Sequence, residues 1–218
     1  MTPGKTDTAG KVSIAVPTGA LMPGALRLLA RAGVARLSAD ELGRQLLVDR
    51  ASVRVILVRP ADVPAYVDHG AADLGIVGKD ILWETPGEHY ELVDLKFGGC
   101  LLVLAVPLAS KLNGPETWPP QLRVATKYPR TASAWFEARG QAVEVVQLHG
   151  SVELAPQVGL VDAIVDLTAT GRTLKENRLR VTATLGASTA RLIANQASLK
   201  TRTAAVQAAV GRLREAAG

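Results

Sequence analysis

The chain has 218 residues, of which 48% are hydrophobic, and 25 Lys and Arg against 20 Asp and Glu leave a net charge of +5. That is enough chain for one large or two small globular domains, and no run approaches the ~20 apolar residues that cross a bilayer. A single cysteine (Cys100, in the apolar run GGCLLVLAV) excludes an internal disulfide, scattered His69, His89 and His149 make no metal-ligand spacing, and dispersed cations with 4% aromatics favour small anions over a nucleic-acid groove.

In chain order, the polar residues 1–10 read as a disordered tail rather than a signal peptide, which implies a cytoplasmic protein. Residues 11–16 predict a strand that stops at Pro17, Thr18 and Gly19, and residues 21–32 a helix. A short helical turn at 38–44, a strand at 53–58, a helix at 61–70 and a strand at 74–77 follow, with a turn from Gly78. Residues 91–96 and 100–106 read as successive strands joined by FGGC, and the Pro-rich 111–120 as a hinge or surface loop. The rhythm then restarts with strands at 122–126 and 143–147, helices at 129–139 and 152–158, and a strand through Ala163, Ile164 and Val165. After Leu179 comes one more strand, and Leu192, Ile193, Val206, Val210 and Leu213 carry helical spacing to the end. The alternation predicts an α/β protein.

The chemistry concentrates in ELAPQVGLVDAIVDLTATGRT, residues 153–173. The apolar run reads as a central parallel strand, and Thr168, Ala169, Thr170, Gly171, Arg172 and Thr173 as the turn into a helix. The first amides of a helix lack intrahelical acceptors and carry the positive end of its dipole, so such a turn suits a phosphate. Asp166, at the carboxyl end of the strand, stands where ligands of parallel sheets bind. Several of these residues also have plain structural roles: Asp73 and Asp80 as caps, Glu153 as a capping partner of Ser151, Asp162 as a surface carboxylate, and Arg172, Lys127 and Arg130 as solvated cations.

VDLTATGRT resembles the 5-phosphoribosyl-1-pyrophosphate (PRPP) loop of phosphoribosyltransferases, with Leu167 where the commonest of them carry a second acid. GSVELAP with GLVDAIVDLTATG, supported by RPADVPAYV and GAADLGIVGKD, is similar more narrowly to the short form of ATP phosphoribosyltransferase. The resemblance implies a two-lobed α/β fold like type II periplasmic binding proteins, a Venus flytrap with a cleft. Residues 11–106 with 187–218 would form the first lobe and 107–186 the second. It further implies attack of N1 of ATP on C1 of PRPP with release of pyrophosphate, the first step of histidine biosynthesis, with Mg²⁺ as cofactor and no protein-only metal cage. Asp166 and Glu153 would be the catalytic acids, residues 168–173 the PRPP cradle, Thr18, Gly19, Asp73 and Leu74 the ATP contacts, and Lys127 and Arg130 pyrophosphate contacts. The family's Lys and Arg in the first turn are absent here, where the sequence is PTGAL. With no added regulatory domain before Gly218, the resemblance implies a homodimer alone and a hetero-octamer with a regulatory subunit like histidyl-tRNA synthetase. Two alternatives remain open at this stage: a non-catalytic flytrap module for a small anion, and a phosphoribosyltransferase for another base.

Overall fold

The computed structural model describes residues 11–218, so the tail expected at 1–10 lies outside the described residues. The chain runs through β1 (Val12–Pro17), α1 (Met22–Arg31), α2 (Ala39–Leu42), β2 (Leu47–Asp49), β3 (Val53–Val58), α3 (Val63–Asp68), β4 (Leu74–Gly78), α4 (Lys79–Glu84) and β5 (Tyr90–Asp94). It continues with β6 (Cys100–Pro107), β7 (Leu122–Thr126), α5 (Pro129–Glu137), β8 (Val143–Gln147), β9 (Ala163–Thr168), α6 (Arg172–Glu176) and β10 (Leu179–Ser188). It ends with β11 (Ala190–Ala194), α7 (Gln196–Thr201) and α8 (Thr203–Ala217). The fold divides into two α/β units, one comprising the chain up to Gly98 together with Thr189–Gly218, the other Gly99–Ser188.

The first unit is built on a six-stranded sheet of order β2-β3-β1-β4-β11-β5. β1 lies parallel to β3 and β4, and β11 inserts antiparallel between β4 and β5. Parallel neighbours need a crossover, and α1 and α3 lie within those connections. One face buries Ile14, Leu74, Ile76 and Leu192 with α1 and α8, and the other buries Val77 and Ile193 with Val63 and Val67 of α3. Such two-sided burial is why the central strands are apolar runs rather than alternating ones.

The helical spacing expected to include Leu192 and Ile193 is overturned, because both belong to β11. Successive side chains of a strand point to opposite faces, and here both faces are covered, so two adjacent apolar residues are each fully buried. The strand β2 was not expected at all. It is a short edge strand with a single buried residue, Val48.

The second unit carries a five-stranded sheet of order β10-β6-β9-β7-β8. β7 is parallel to both β8 and β9, while β6 is antiparallel to β9 and to β10. The domain boundary expected near 106 lies instead at 98 and 99, since all of β6 pairs within this sheet. The helix expected at 152–158 is only a 3-10 turn over Val152–Leu154, cut short by Pro156 and by Gly159 at φ +72°.

Asp73 ties the first unit together from the amino edge of β4. Its Oδ2 accepts from the amide (2.7 Å) and hydroxyl (2.8 Å) of Ser13 in β1 and from Arg202 Nη1 (2.6 Å), and its Oδ1 from the Ser198 hydroxyl of α7 (2.8 Å). Asp73→Ala strips the buried donors of their acceptor and is expected to lower unfolding free energy by about 3 kcal/mol in urea titration, the scale for breaking a buried charged network. A loss below about 1 kcal/mol, the size of one ordinary hydrogen bond, contradicts the role of the carboxylate as a tie.

Candidate active site

In the second unit, parallel pairing brings the carboxyl ends of β7, β8 and β9 to one edge. Three connections leave from there: the turn from β7 into α5 with Lys127 and Arg130, the segment after β8 with Glu153, and the loop from β9 into α6. Ligands of open α/β sheets bind at such an edge.

β9 is the middle strand of its sheet, and Ala163, Ile164 and Val165 are fully buried. Asp166 follows them, half-buried, with its Oδ1 accepting from the amide of Leu167 at 2.9 Å. Burial pushes its carboxyl above the usual range, the Leu167 amide and the Lys127 charge oppose that rise, and the Glu153 charge adds to it. Lys127, Glu153 and Asp166 therefore share one electrostatic environment although they come from three loops. Burial and the nearby Glu153 charge thus act on this carboxyl against the Leu167 amide and Lys127.

Beyond Asp166 the chain turns sharply. Gly171 takes φ +73°, a left-handed conformation in which an L side chain is strained, and its amide donates to the Thr168 hydroxyl at 2.8 Å. That bond closes the loop before α6 starts, and Leu174, buried in the local core, anchors the helix. Ala169, Thr170, Arg172 and Thr173 are exposed. Among the described residues, the amides of Ala169, Thr170 and Thr173 donate to no protein acceptor. The loop thus leaves N–H groups and the Thr173 hydroxyl exposed, features suited to an anion, while the Thr170 hydroxyl oxygen accepts from the Arg172 amide at 3.4 Å. Thr168 differs from the expectation in one respect: its hydroxyl oxygen is occupied inside the loop. The Arg172 guanidinium pairs with Glu176 on the helix surface, Nε to Oε1 at 2.8 Å.

Supporting residues that the sequence reading passed over hold this edge in place. The hydroxyl of fully buried Thr126 accepts from the Tyr128 amide at 2.9 Å and so shapes the turn that displays Lys127. Ser151, just before the turn that bears Glu153, has φ +48°. A non-glycine residue held there is strained, and such strain gathers at functional sites. A Ser after Gly150 carries a faint local signal of that turn, whereas nothing local marks Thr126. Asp162 is an internal staple rather than a loose surface acid: its oxygens take Arg123 Nη2 at 2.9 Å and the Arg123 amide at 3.0 Å at the opposite edge, and the Arg123 hydrogen bond holds its carboxyl low.

In the first unit, Thr18 and Gly19 follow β1 at its carboxyl edge, with the Thr18 amide donating to Val58 O at 2.8 Å and Gly19 exposed at φ +79°. Arg59 is exposed just beyond the same end of β3. Asp73 and Leu74 are not part of this edge. They open β4 at its amino end, Leu74 is fully buried, and both Asp73 oxygens are committed to the internal tie, so the expected purine contact by these two does not fit the structure. A sequence pattern places an acid before a strand; it does not say which edge of the sheet that strand end occupies.

The chain is similar to known proteins along most of its length. The profile of the ATP phosphoribosyltransferase family matches residues 59–215. An ATP phosphoribosyltransferase of Rubrobacter xylanophilus is 51% identical over 204 residues, spanning 91% of this chain and 94% of the relative. A chain of the ATP phosphoribosyl transferase (HisG:HisZ) complex from Thermotoga maritima superposes with a TM-score of 0.80 at 32% identity, over 94% of this chain and 98% of that one. The alkanesulfonate-binding protein SsuA of Xanthomonas axonopodis pv. citri reaches a TM-score of 0.60 at 15% identity, over 95% of this chain and 73% of that one, a likeness of fold alone that extends to periplasmic binding proteins. Matched by that family's profile over residues 59–215 and half-identical to a relative along nearly its whole length, the chain belongs to the ATP phosphoribosyltransferase family.

Proposed function

We propose that this chain transfers the 5-phosphoribosyl group of PRPP to N1 of ATP and releases pyrophosphate, the first step of histidine biosynthesis. The observation that carries this reading is the loop after β9, where unsatisfied amides adjoin a carboxylate on the same strand end. The amides of Ala169, Thr170 and Thr173 and the hydroxyls of Thr170 and Thr173 hold the 5′-phosphate, while Asp166 accepts from the ribose hydroxyls. Arg172, paired with Glu176, adds positive charge at the rim. A simple small-anion receptor would have no use for Asp166 beside its cradle.

N1 of ATP attacks with an existing lone pair, so the reaction needs no side-chain base to generate a nucleophile. What the protein supplies is alignment of two polyanions and stabilisation of positive charge on the ribosyl centre as pyrophosphate departs. Asp166 faces that centre, Glu153 strengthens the negative potential there, and Lys127 and Arg130 attract the leaving pyrophosphate. The turn at Thr18 and Gly19 receives ATP through its backbone.

Transfer between two polyphosphates calls for a divalent cation, and we assign Mg²⁺. Among the described residues no group of three or more His, Cys, Asp or Glu side chains is arranged to hold an ion. Mg²⁺ characteristically binds through one or two carboxylates together with substrate phosphates, and Asp166 and Glu153 fit that donor set. The ion supplies charge neutralisation for the leaving group.

The Thermotoga maritima relative is solved as a HisG:HisZ complex, which supports a second, different subunit for this chain too, a regulatory protein resembling histidyl-tRNA synthetase. No helix among the described residues is long and apolar enough to cross a membrane; we assign the enzyme to the cytoplasm from its proposed biosynthetic reaction.

The purified chain with Mg²⁺ is expected to release pyrophosphate only when ATP and PRPP are both present, and faster with its regulatory partner. Release that needs no ATP contradicts the assignment. Asp166→Asn is expected to reduce turnover by ~10²-fold, since it removes charge facing the transition state. Thr173→Val is expected to raise KM for PRPP several-fold with little change for ATP, and an unchanged KM places the phosphate elsewhere.

Asp166 also predicts a pH effect. Its folded-state carboxyl titrates above the unfolded one, so its contribution to stability is present below the unfolded value of about 3.9 and is lost as pH rises through the folded value. Asn carries no charge at any pH. Asp166→Asn is therefore expected to melt at a higher temperature than the native chain at neutral pH, with the gap closing as pH falls below about 4. A gap that widens on acidification reverses the sign and rules out burial as the dominant cause.

A further inference from the structure

Gly24 occupies the first turn of α1, directly after the Thr18–Gly19 turn, and its φ is not in the left-handed region. Its backbone therefore has no need of glycine, which is a poor helix former. Space explains the residue. A Cβ at this position would collide with Cδ2 of Phe97 and stand 2.6 Å from its Cε2, so the ring lies directly against the helix backbone. A Cβ on Gly98 would likewise collide with Leu21, the residue that closes the 3-10 turn Gly19–Leu21.

The segment presenting that ring is itself constrained. Lys96 and Gly98, on either side of Phe97, take φ +58° and +68°. A lysine in the left-handed region is unfavourable and persists only where neighbours hold it. Here Asp94 Oδ1 accepts from the Lys96 amide at 2.9 Å, the Ala190 amide donates to Phe97 O at 2.9 Å, and Lys96 Nζ donates to Gly218 O at 2.5 Å. The kink is thus pinned to β5, β11 and the end of α8, and it drives the Phe97 ring into the place left by the missing side chain of Gly24.

We propose that Phe97 is a positioning residue for ATP: it brackets the start of α1 and thereby holds the Thr18–Gly19 turn, with its exposed backbone, in the conformation that receives the nucleotide. This rests on the assignment of that turn to ATP. Phe97 touches no substrate; its ring acts through Gly24, while the adjoining Gly98 abuts Leu21. Loss of the ring frees the first turn of α1 while leaving the PRPP loop, on the other sheet, unaltered.

The test is steady-state kinetics of the full chain with its regulatory partner, varying each substrate, for Phe97→Ala, Phe97→Leu, Gly24→Ala and the double variant Gly24→Ala/Phe97→Ala, each checked for a cooperative melt. Phe97→Ala is expected to raise KM for ATP roughly tenfold, with kcat and KM for PRPP within about twofold of native, because binding geometry and not chemistry is lost. Phe97→Leu, which keeps apolar bulk, is expected to show a smaller rise in the same direction and secures the test should Phe97→Ala not fold. Gly24→Ala displaces the ring and is expected to raise KM for ATP too, whereas in the double variant the added methyl has room and the effect does not exceed that of Phe97→Ala alone. Such non-additivity is the signature of direct contact. A native KM for ATP in folded Phe97 variants, an equal disturbance of both substrates, or additive effects in the double variant overturn the proposal while leaving the reaction assignment standing. An inactive native chain overturns the reaction assignment and this proposal with it.

Discussion

Parallel strand pairing governs where chemistry can occur in this protein. A parallel ladder sends every carboxyl end to the same edge, and the connections that follow begin there with amides the sheet no longer uses. In the second unit β7, β8 and β9 obey this rule, and it alone brings Lys127, Glu153 and Asp166 into one environment from loops far apart in the chain. In the first unit β1, β3 and β4 obey it too, giving an edge with Thr18, Gly19 and Arg59. Binding two polyanionic substrates suits a protein made of two such sheets.

Two acids, Asp73 buried and Asp166 half-buried, show how partners divide structure from function. Asp73 is surrounded by donors on β1, α7 and Arg202, so its charge is spent on holding elements together. Among the described residues Asp166 accepts from a single backbone amide, with Lys127 and Glu153 acting on it through their charges.

Much of this was legible beforehand. The strands at 53–58, 122–126 and 143–147 coincide with β3, β7 and β8, since an apolar run bounded by Pro, Gly or polar residues has few other fates. The turn from β9 into α6 was legible because glycine at a left-handed position and threonines around it are local requirements, met within a few residues of sequence. β11 was not legible: Leu192 and Ile193 suit a helix face and a doubly buried strand equally, and only the neighbours β4 and β5 choose between them. Nor was the short edge strand β2, which carries one buried side chain.

By itself the sequence determined the α/β alternation, the family, and the loop with its upstream acid, because each is written in residues that act on their immediate neighbours. Tertiary structure alone decided which acids remain available. Asp73 finds Ser198 and Arg202 at separations of 125 and 129 residues, and Asp162 finds Arg123 across 39, while among the described residues Asp166 accepts only from the adjacent Leu167 amide. Ionic and hydrogen-bonding partners are chosen by proximity in the fold, and no local pattern encodes them.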